Sequence, residues 1–242
     1  PLAPYQDLSM QSVFITATDT DAGKTFISSV LLKGFARLNI PAIGLKPIAA
    51  GVDADGKNAD AKMLQTLSAL ALSYASVNPV LFDEPVAPHL AATLHQTRIN
   101  TAVLDAQLVE TAKLPVKLRL IEGAGGWLLP LDDHSYLADW VLAQKLPVLL
   151  VVGMKLGCLN HAMLTARELE RSGARVLGWV ANCVDPQMLL LNENIADLQQ
   201  RLPWPCLGVM PYQPSATANQ ETTLAEQQTA LAQALANTLS LT

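Results

Sequence analysis

Six short runs rich in Val, Leu and Ile recur along the 242-residue chain, separated by segments of helical spacing. This alternation restricts the fold more than any other feature. The runs cover residues 13–17, 42–46, 116–122, 148–152, 176–182 and 207–211. Several carry no polar alternation, the pattern of strands covered on both faces. The intervening segments at 24–38, 59–70, 101–112, 135–144, 160–172 and 188–201, with a last one near 224–239, have the spacing of crossover helices. Strands that must run parallel and are joined by helices predict an α/β fold, a doubly wound, mainly parallel sheet flanked by helices. No internal repeat or low-complexity linker interrupts the pattern, so residues 10–242 read as a single domain. Residues 1–9 read as a leader or cloning remnant, because Met10 immediately precedes the first run.

Composition narrows the function. Half of the residues are hydrophobic, 15% are charged and the net charge is −5. No basic stretch is dense enough to track a phosphate backbone, which argues against nucleic acid. The longest apolar run, 146–154, contains Pro147 and Gly153 and is about half of what a membrane span needs. With no recognisable signal peptide either, a cytoplasmic protein is expected. The three cysteines, Cys158, Cys183 and Cys206, are scattered and form no C-x-x-C pair, so they read as core packing in a reducing compartment.

In open parallel sheets ligands sit beyond the carboxyl ends of the strands, so chemistry is sought there. The first run is followed by Thr18-Asp19-Thr20-Asp21-Ala22-Gly23-Lys24-Thr25 and then by an amphipathic segment beginning near Phe26. That is the strand, phosphate loop, helix order of the P-loop NTPase type. Backbone N–H groups and a helix N-terminus face the phosphates, Lys24 reaches the β and γ oxygens, and the Thr25 hydroxyl ligates Mg²⁺. The regular pattern has glycine where Thr18 stands, so a pattern search misses this loop. Gly-Lys-Thr by itself is common by chance; its placement after a buried strand is what favours the phosphate reading.

Other strand ends add candidates. Lys46-Pro47 closes the second run, and the proline forces an extended turn that would leave the Lys46 stem packed and its ammonium free. Glu122-Gly123-Ala124-Gly125-Gly126-Trp127 follows the third run. Glu122 is placed to serve Mg²⁺, directly or through water, because a carboxylate at a buried strand end is costly without a partner. Asp60 reads on spacing alone as an acid in the first turn of a helix. The glycine-containing loop from Gly153 to His161 leads into a helix whose free N–H groups suit an anion such as a carboxylate. Asn182, at the end of the fifth run, has an amide able to pair with an adenine edge.

Taken together with Leu45-Lys46-Pro47-Ile48-Ala49, Asn58-Ala59-Asp60-Ala61, Val77-Asn78-Pro79, Leu156-Gly157-Cys158-Leu159-Asn160-His161-Ala162 and Gly178-Trp179-Val180-Ala181-Asn182, these motifs resemble the dethiobiotin synthetase family, in order, from about Val13 to Tyr212. The resemblance implies an ATP- and Mg²⁺-dependent ureido ring closure of 7,8-diaminopelargonic acid with CO2, through a carbamate and its mixed anhydride with phosphate. It implies that Lys24 and Lys46 are catalytic, and that Thr25, Asp60 and Glu122 bind Mg²⁺. The nucleotide would be held by Asp21, Ala22, Gly23, Lys24, Thr25, Phe26, Asp60, Glu122, Gly123, Ala124, Gly125, Asn182, Cys183, Pro211, Tyr212 and Gln213. Substrate would meet Thr20, Lys46, Ala50, Leu156, Gly157 and Asn160, the last three from the neighbouring subunit of a homodimer.

The chain departs from the family at two substrate-facing places. Ala50 stands where a serine is frequent, and Asn192-Glu193-Asn194 occupies the stretch of a tyrosine. The rival reading is a switch ATPase of the partition or septum-positioning type, which has the same fold and a deviant phosphate loop. Those proteins carry an extra lysine early in the loop, and Thr18-Asp19-Thr20 has none.

Overall fold

The computed structural model describes residues 10–213 and 218–241; residues 1–9, expected to be a leader or cloning remnant, lie outside the described residues. Eight strands occur among the described residues: β1 (Gln11–Ala17), β2 (Ala42–Leu45), β3 (Ile48–Ala50), β4 (Val80–Phe82), β5 (Leu118–Glu122), β6 (Val148–Met154), β7 (Val176–Cys183) and β8 (Cys206–Met210). Six of them form one sheet in the order β2-β5-β1-β6-β7-β8, with every pair parallel. The helices are α1 (Lys24–Arg37), α2 (Ala59–Leu67), α3 (Tyr74–Val77), α4 (Pro88–Leu94), α5 (Thr101–Thr111), α6 (Leu137–Ala143), α7 (Cys158–Arg171), α8 (Leu191–Arg201) and α9 (Ala218–Thr238).

Both faces of the sheet are covered, as the unbroken apolar runs require. Along β1, Val13 and Ile15 face a core containing Ile27, Leu31 and Phe35 of α1 with Leu231 and Leu235 of α9, while Phe14 faces the opposite core. Leu149 and Val151 of β6 join the first core, and Leu150 and Val152 the second, with Leu104, Trp140, Leu169 and Leu198 from α5 to α8. Each fully buried Leu or Ile stabilises the fold by about 1.5–3 kcal/mol, and period-two division of one strand between two cores pins its register. The helix α1 has Gly34 where it crosses α9, because an added Cβ would overlap the Gln228 carbonyl oxygen.

Four elements were not visible as periodic runs: β3, β4, the four-residue helix α3 and α4. The strands β3 and β4 form a separate parallel pair of three residues each, too short for any alternation to register. The helix α4 follows a proline-rich stretch, with Pro88 at its first turn. The helix α9 begins at Ala218 rather than near residue 224, since the residues before Leu224 are polar and carry no apolar stripe.

The strand order places β1 between β5 and β6, so successive crossovers leave β1 in opposite directions. The crevice beyond its carboxyl end is the topological switch point, where open α/β sheets bind ligands.

Candidate active site

At that crevice β1 gives way to a single 3₁₀ turn (Thr20–Ala22) and then to α1. The Asp19 carboxylate accepts a hydrogen bond from the Thr20 N–H at 2.7 Å and pairs with Lys155 Nζ at 2.8 Å. Gly23 follows at φ +87°, a left-handed conformation that glycine adopts without strain. The turn and the start of α1 thus occupy the positions read from the sequence as a phosphate loop.

Lys24 lies back across the mouth of this loop, only 5% exposed. Its ammonium donates to carbonyl oxygens of Gly125 at 2.6 Å, Asp19 at 3.3 Å and Thr20 at 3.5 Å. Burial, reinforced by repulsion from Lys46, lowers its pKa to about 8. Its hydrogen bonds go to carbonyl oxygens and the Glu122, Asp60 and Asp19 carboxylates attract it without bonding it, so an anion entering the mouth gains a poorly compensated cation.

Lys46 overturns one expectation: its ammonium is not free. It donates to Glu122 Oε1 at 2.7 Å, to the Gly123 carbonyl at 3.1 Å and to Asp60 Oδ2 at 3.3 Å. Burial opposes the charge, but attraction to Glu122 and Asp60 outweighs it and raises the pKa. The extended turn at Pro47 brings Lys46 to these partners because the backbone is held on both sides. Asn78 Nδ2 donates to the Lys46 carbonyl at 2.7 Å, and the Lys46 N–H donates to Val77 O at 2.9 Å. Asn78, 3% exposed, is a supporting residue that spacing could not reveal.

Glu122 ends β5 and links the two lysine-bearing loops. Its Oε1 accepts from Thr25 Oγ1 at 2.7 Å as well as from Lys46, while the buried Oε2 has no partner. Asp60 sits in the first turn of α2, which Asn58 caps by accepting from the Ala61 N–H at 3.2 Å. The Asp60 side chain is 42% exposed, so it faces the crevice rather than the core.

These groups open onto a cavity of about 730 Å³. Of the residues singled out by sequence, Thr20, Asp21, Gly23, Lys24, Thr25, Lys46, Ala50, Asp60, Ala124 and Gly125 line it. Glu122 is buried behind Lys46, and Gly123 receives the lysine's third hydrogen bond. Ala22 is buried at the back of the loop and Phe26 is half-buried on α1. Asn182 and Cys183 end β7, and Pro211, Tyr212 and Gln213 follow β8, on the opposite side of β1 from Lys46. Leu156, Gly157 and Asn160 lie exposed at the start of α7, outside the cavity. Ala49 and Asn58, from the quoted motifs, also line the cavity, whereas the wall from Pro85 to Pro88 with Leu129 was missed by sequence; the prolines flanking a helix start were the only signal.

Cys158 and Cys183 are buried, Cys206 is partly so, and burial raises all three thiol pKa values, as suits packing residues. Among the described residues no helix is long and apolar enough to cross a membrane.

Residues 11–220 match a family model described as an AAA domain. The ATP-dependent dethiobiotin synthetase of Cellvibrio japonicus is 44% identical over 215 residues, 88% of this chain and 94% of the relative. Its counterpart in Pseudoalteromonas translucida is 44% identical over 206 residues, 84% of this chain and 91% of the relative. That of Pseudomonas aeruginosa is 44% identical over 211 residues, 86% and 92% of the two chains. The chain belongs to the dethiobiotin synthetase family. It is therefore an enzyme of an ATP-dependent family of biotin biosynthesis. Solved structures of other proteins share the fold. The Pyrococcus furiosus cell division ATPase MinD aligns with a TM-score of 0.59 at 16% identity, covering 94% of this chain and 98% of that one. A ParA family ATPase from Chlorobium tepidum aligns with a TM-score of 0.54 at 15% identity, covering 97% and 100%. Those likenesses concern the fold alone, so the rival switch ATPase reading rests on architecture, whereas the dethiobiotin synthetases share the sequence.

Proposed function

We propose that this dethiobiotin synthetase closes the ureido ring of dethiobiotin from 7,8-diaminopelargonic acid, CO2 and ATP, releasing ADP and phosphate. One substrate amine forms a bond to the CO2 carbon and loses a proton, giving a carbamate. A carbamate oxygen then bonds to the γ-phosphorus as the bond to the β-bridging oxygen breaks and ADP leaves. The second amine attacks the carbamoyl carbon, loses a proton, and expels phosphate. Little covalent work falls to the protein in phosphoryl transfer, so positioning and charge neutralisation carry the rate.

The observation that carries this reading is the convergence of two buried ammonium groups, Lys24 and Lys46, on one mouth of a cavity roomy enough for a triphosphate tail and a small diamine. Lys24 would exchange its carbonyl partners for the β and γ oxygens. Lys46, held by Glu122, would lie against the carbamate and the transferring phosphoryl group.

The residues present also fit Mg²⁺. Glu122 Oε2 is a buried carboxylate oxygen without a partner, the Thr25 hydroxyl is 2.7 Å from its twin, and the half-exposed Asp60 reaches the same lysine. Among the described residues no cluster of three or more His, Cys, Asp or Glu could hold a metal unaided. That suits an ion held by one or two carboxylates together with phosphate oxygens and water. Thr25, Asp60 and Glu122 would hold it, and bound there it would neutralise charge on the phosphates.

The substrate carboxylate would be gripped by Leu156 to Asn160 of a second subunit in a homodimer. Support comes from Leu156, which is 94% exposed beside the left-handed Gly157 at φ +93°. The enzyme would work in the cytoplasm. The deciding experiment supplies ATP, Mg²⁺, bicarbonate and the diamine and looks for dethiobiotin by mass spectrometry. ATP hydrolysis without that product would instead favour a switch ATPase.

A further inference from the structure

The loop between β1 and α1 lacks the first glycine of the regular phosphate loop, with Thr18 in its place. Fewer of its residues can adopt the left-handed bends that turn successive N–H groups toward an anion. Its backbone-to-backbone bonding is weak, since the Ala22 N–H reaches Asp19 O only at 3.4 Å and Asp21 sits at φ −90°, ψ 18°, outside the helical region. The Asp19 carboxylate and the Lys24 ammonium brace its first residues from within, and the Ala22–Gly23 end is held from outside.

The Ala22 carbonyl is the group that needs holding. In α1 the first acceptor is the carbonyl of Gly23, which takes the Ile27 N–H at 3.0 Å, so Ala22 O stands one residue outside the helix ladder. Ala22 is fully buried, and an unpaired carbonyl there would forfeit a hydrogen bond that water cannot replace. Its partner is Asn182, 4% exposed at the end of β7, whose Nδ2 donates to Ala22 O at 2.9 Å. The same amide lies against the next residue so closely that a Cβ on Gly23 would overlap Nδ2. From β6, Gly153 approaches within van der Waals contact of Ala22, where a Cβ would sit 2.8 Å from Ala22 Cα. The turn therefore rests on the ends of β6 and β7, and Asn182 supplies the directional bond.

We infer that Asn182 is a positioning residue for the phosphate loop: its amide fixes the Ala22 carbonyl, and with it the left-handed turn at Gly23, so that the loop N–H groups face a triphosphate tail. The inference rests on the reading of this loop as the triphosphate site. It differs from a base-reading role in what it acts through. A base reader works through adenine, whereas this amide works through the polyphosphate whatever base is attached.

Asn182→Ala tests it, with calorimetric binding of ATP, GTP and inorganic tripolyphosphate in Mg²⁺ to the wild-type and variant proteins. The expected result is a loss of about 5- to 100-fold that tripolyphosphate shares with ATP and GTP, from one unsatisfied buried carbonyl. Amide hydrogen exchange across residues 18–25 should also quicken in the nucleotide-free variant. Loss confined to ATP, or unchanged exchange and binding, overturns the inference. If the wild-type protein binds none of the three, the phosphate-loop reading itself falls, which is a separate outcome. Should the alanine variant not fold, Asn182→Ser, whose hydroxyl is too short to span to Ala22, serves in the same comparison.

Discussion

Lys46→Met is the perturbation whose size the structure defines best. The Lys46 and Glu122 side chains are 6% and 1% exposed and meet at 2.7 Å. Removing the ammonium leaves Glu122 Oε1 with only the Thr25 hydroxyl, and Oε2 already has no partner. Breaking a buried pair from one side costs about 3–5 kcal/mol, because the remaining charge is neither solvated nor matched. Asp60, which is 42% exposed, can be rehydrated and adds little. At roughly 2–4 °C per kcal/mol for a domain of this size, the melting temperature should fall by about 6–20 °C. The assay is a double-mutant cycle with Glu122→Gln, followed by urea and thermal unfolding without nucleotide. The Lys46→Met/Glu122→Gln protein should recover much of the loss, since no orphaned charge remains. In the single variant, Mg²⁺ should bind the nucleotide-free protein more tightly, because two carboxylates have lost their internal cation. Turnover should drop by orders of magnitude while ATP still binds. A single-variant loss below about 1 kcal/mol, or a double variant no more stable than the single, would refute the electrostatic account.

Lys24 makes the chain sensitive to alkaline pH. Its folded pKa of about 8 lies below the ordinary 10.5, so between those values the unfolded chain holds a proton that the native one lacks. Stability from this group therefore rises from about pH 8 to about pH 10.5, by roughly 3 kcal/mol. Nucleotide affinity should move the other way, weakening above pH 8, with proton uptake on binding. Calorimetry at pH 8.5 in buffers of different ionisation heat measures that uptake, which should vanish in Lys24→Met; none in the wild type would contradict the assignment. On the proposed homodimer, the wild type should sediment at twice the chain mass and Leu156→Asp at the chain mass, with KM for the diamine raised more than for ATP. A wild type at the chain mass would refute the homodimer, and a variant that sediments as a dimeric wild type does would remove Leu156 from the proposed contact.

Much of the fold was legible because its strands are long enough to show their burial. Unbroken apolar runs such as 148–152 predicted a sheet covered on both faces, and the division of β1 and β6 between two cores bears this out. Local order was equally informative at the loop, since Gly23, Lys24 and Thr25 are adjacent in the chain. The strands β3 and β4 and the wall from Pro85 to Pro88 escaped notice, because three-residue strands carry no periodicity and a proline-rich turn has none to carry.

What the chain determined by itself is the parallel α/β layering and the identity of the groups at each strand end, both of which depend on neighbours within a few residues. Only the tertiary structure decided what those groups touch. Lys46 and Glu122 are 76 positions apart, as are no two partners in a helix, and their pairing arises because β2 and β5 are adjacent in the sheet. Asn182 and Ala22, 160 positions apart, meet because β6 alone separates β7 from β1. Such contacts follow from strand order, which is set by how whole layers pack and leaves no mark in the local pattern of residues.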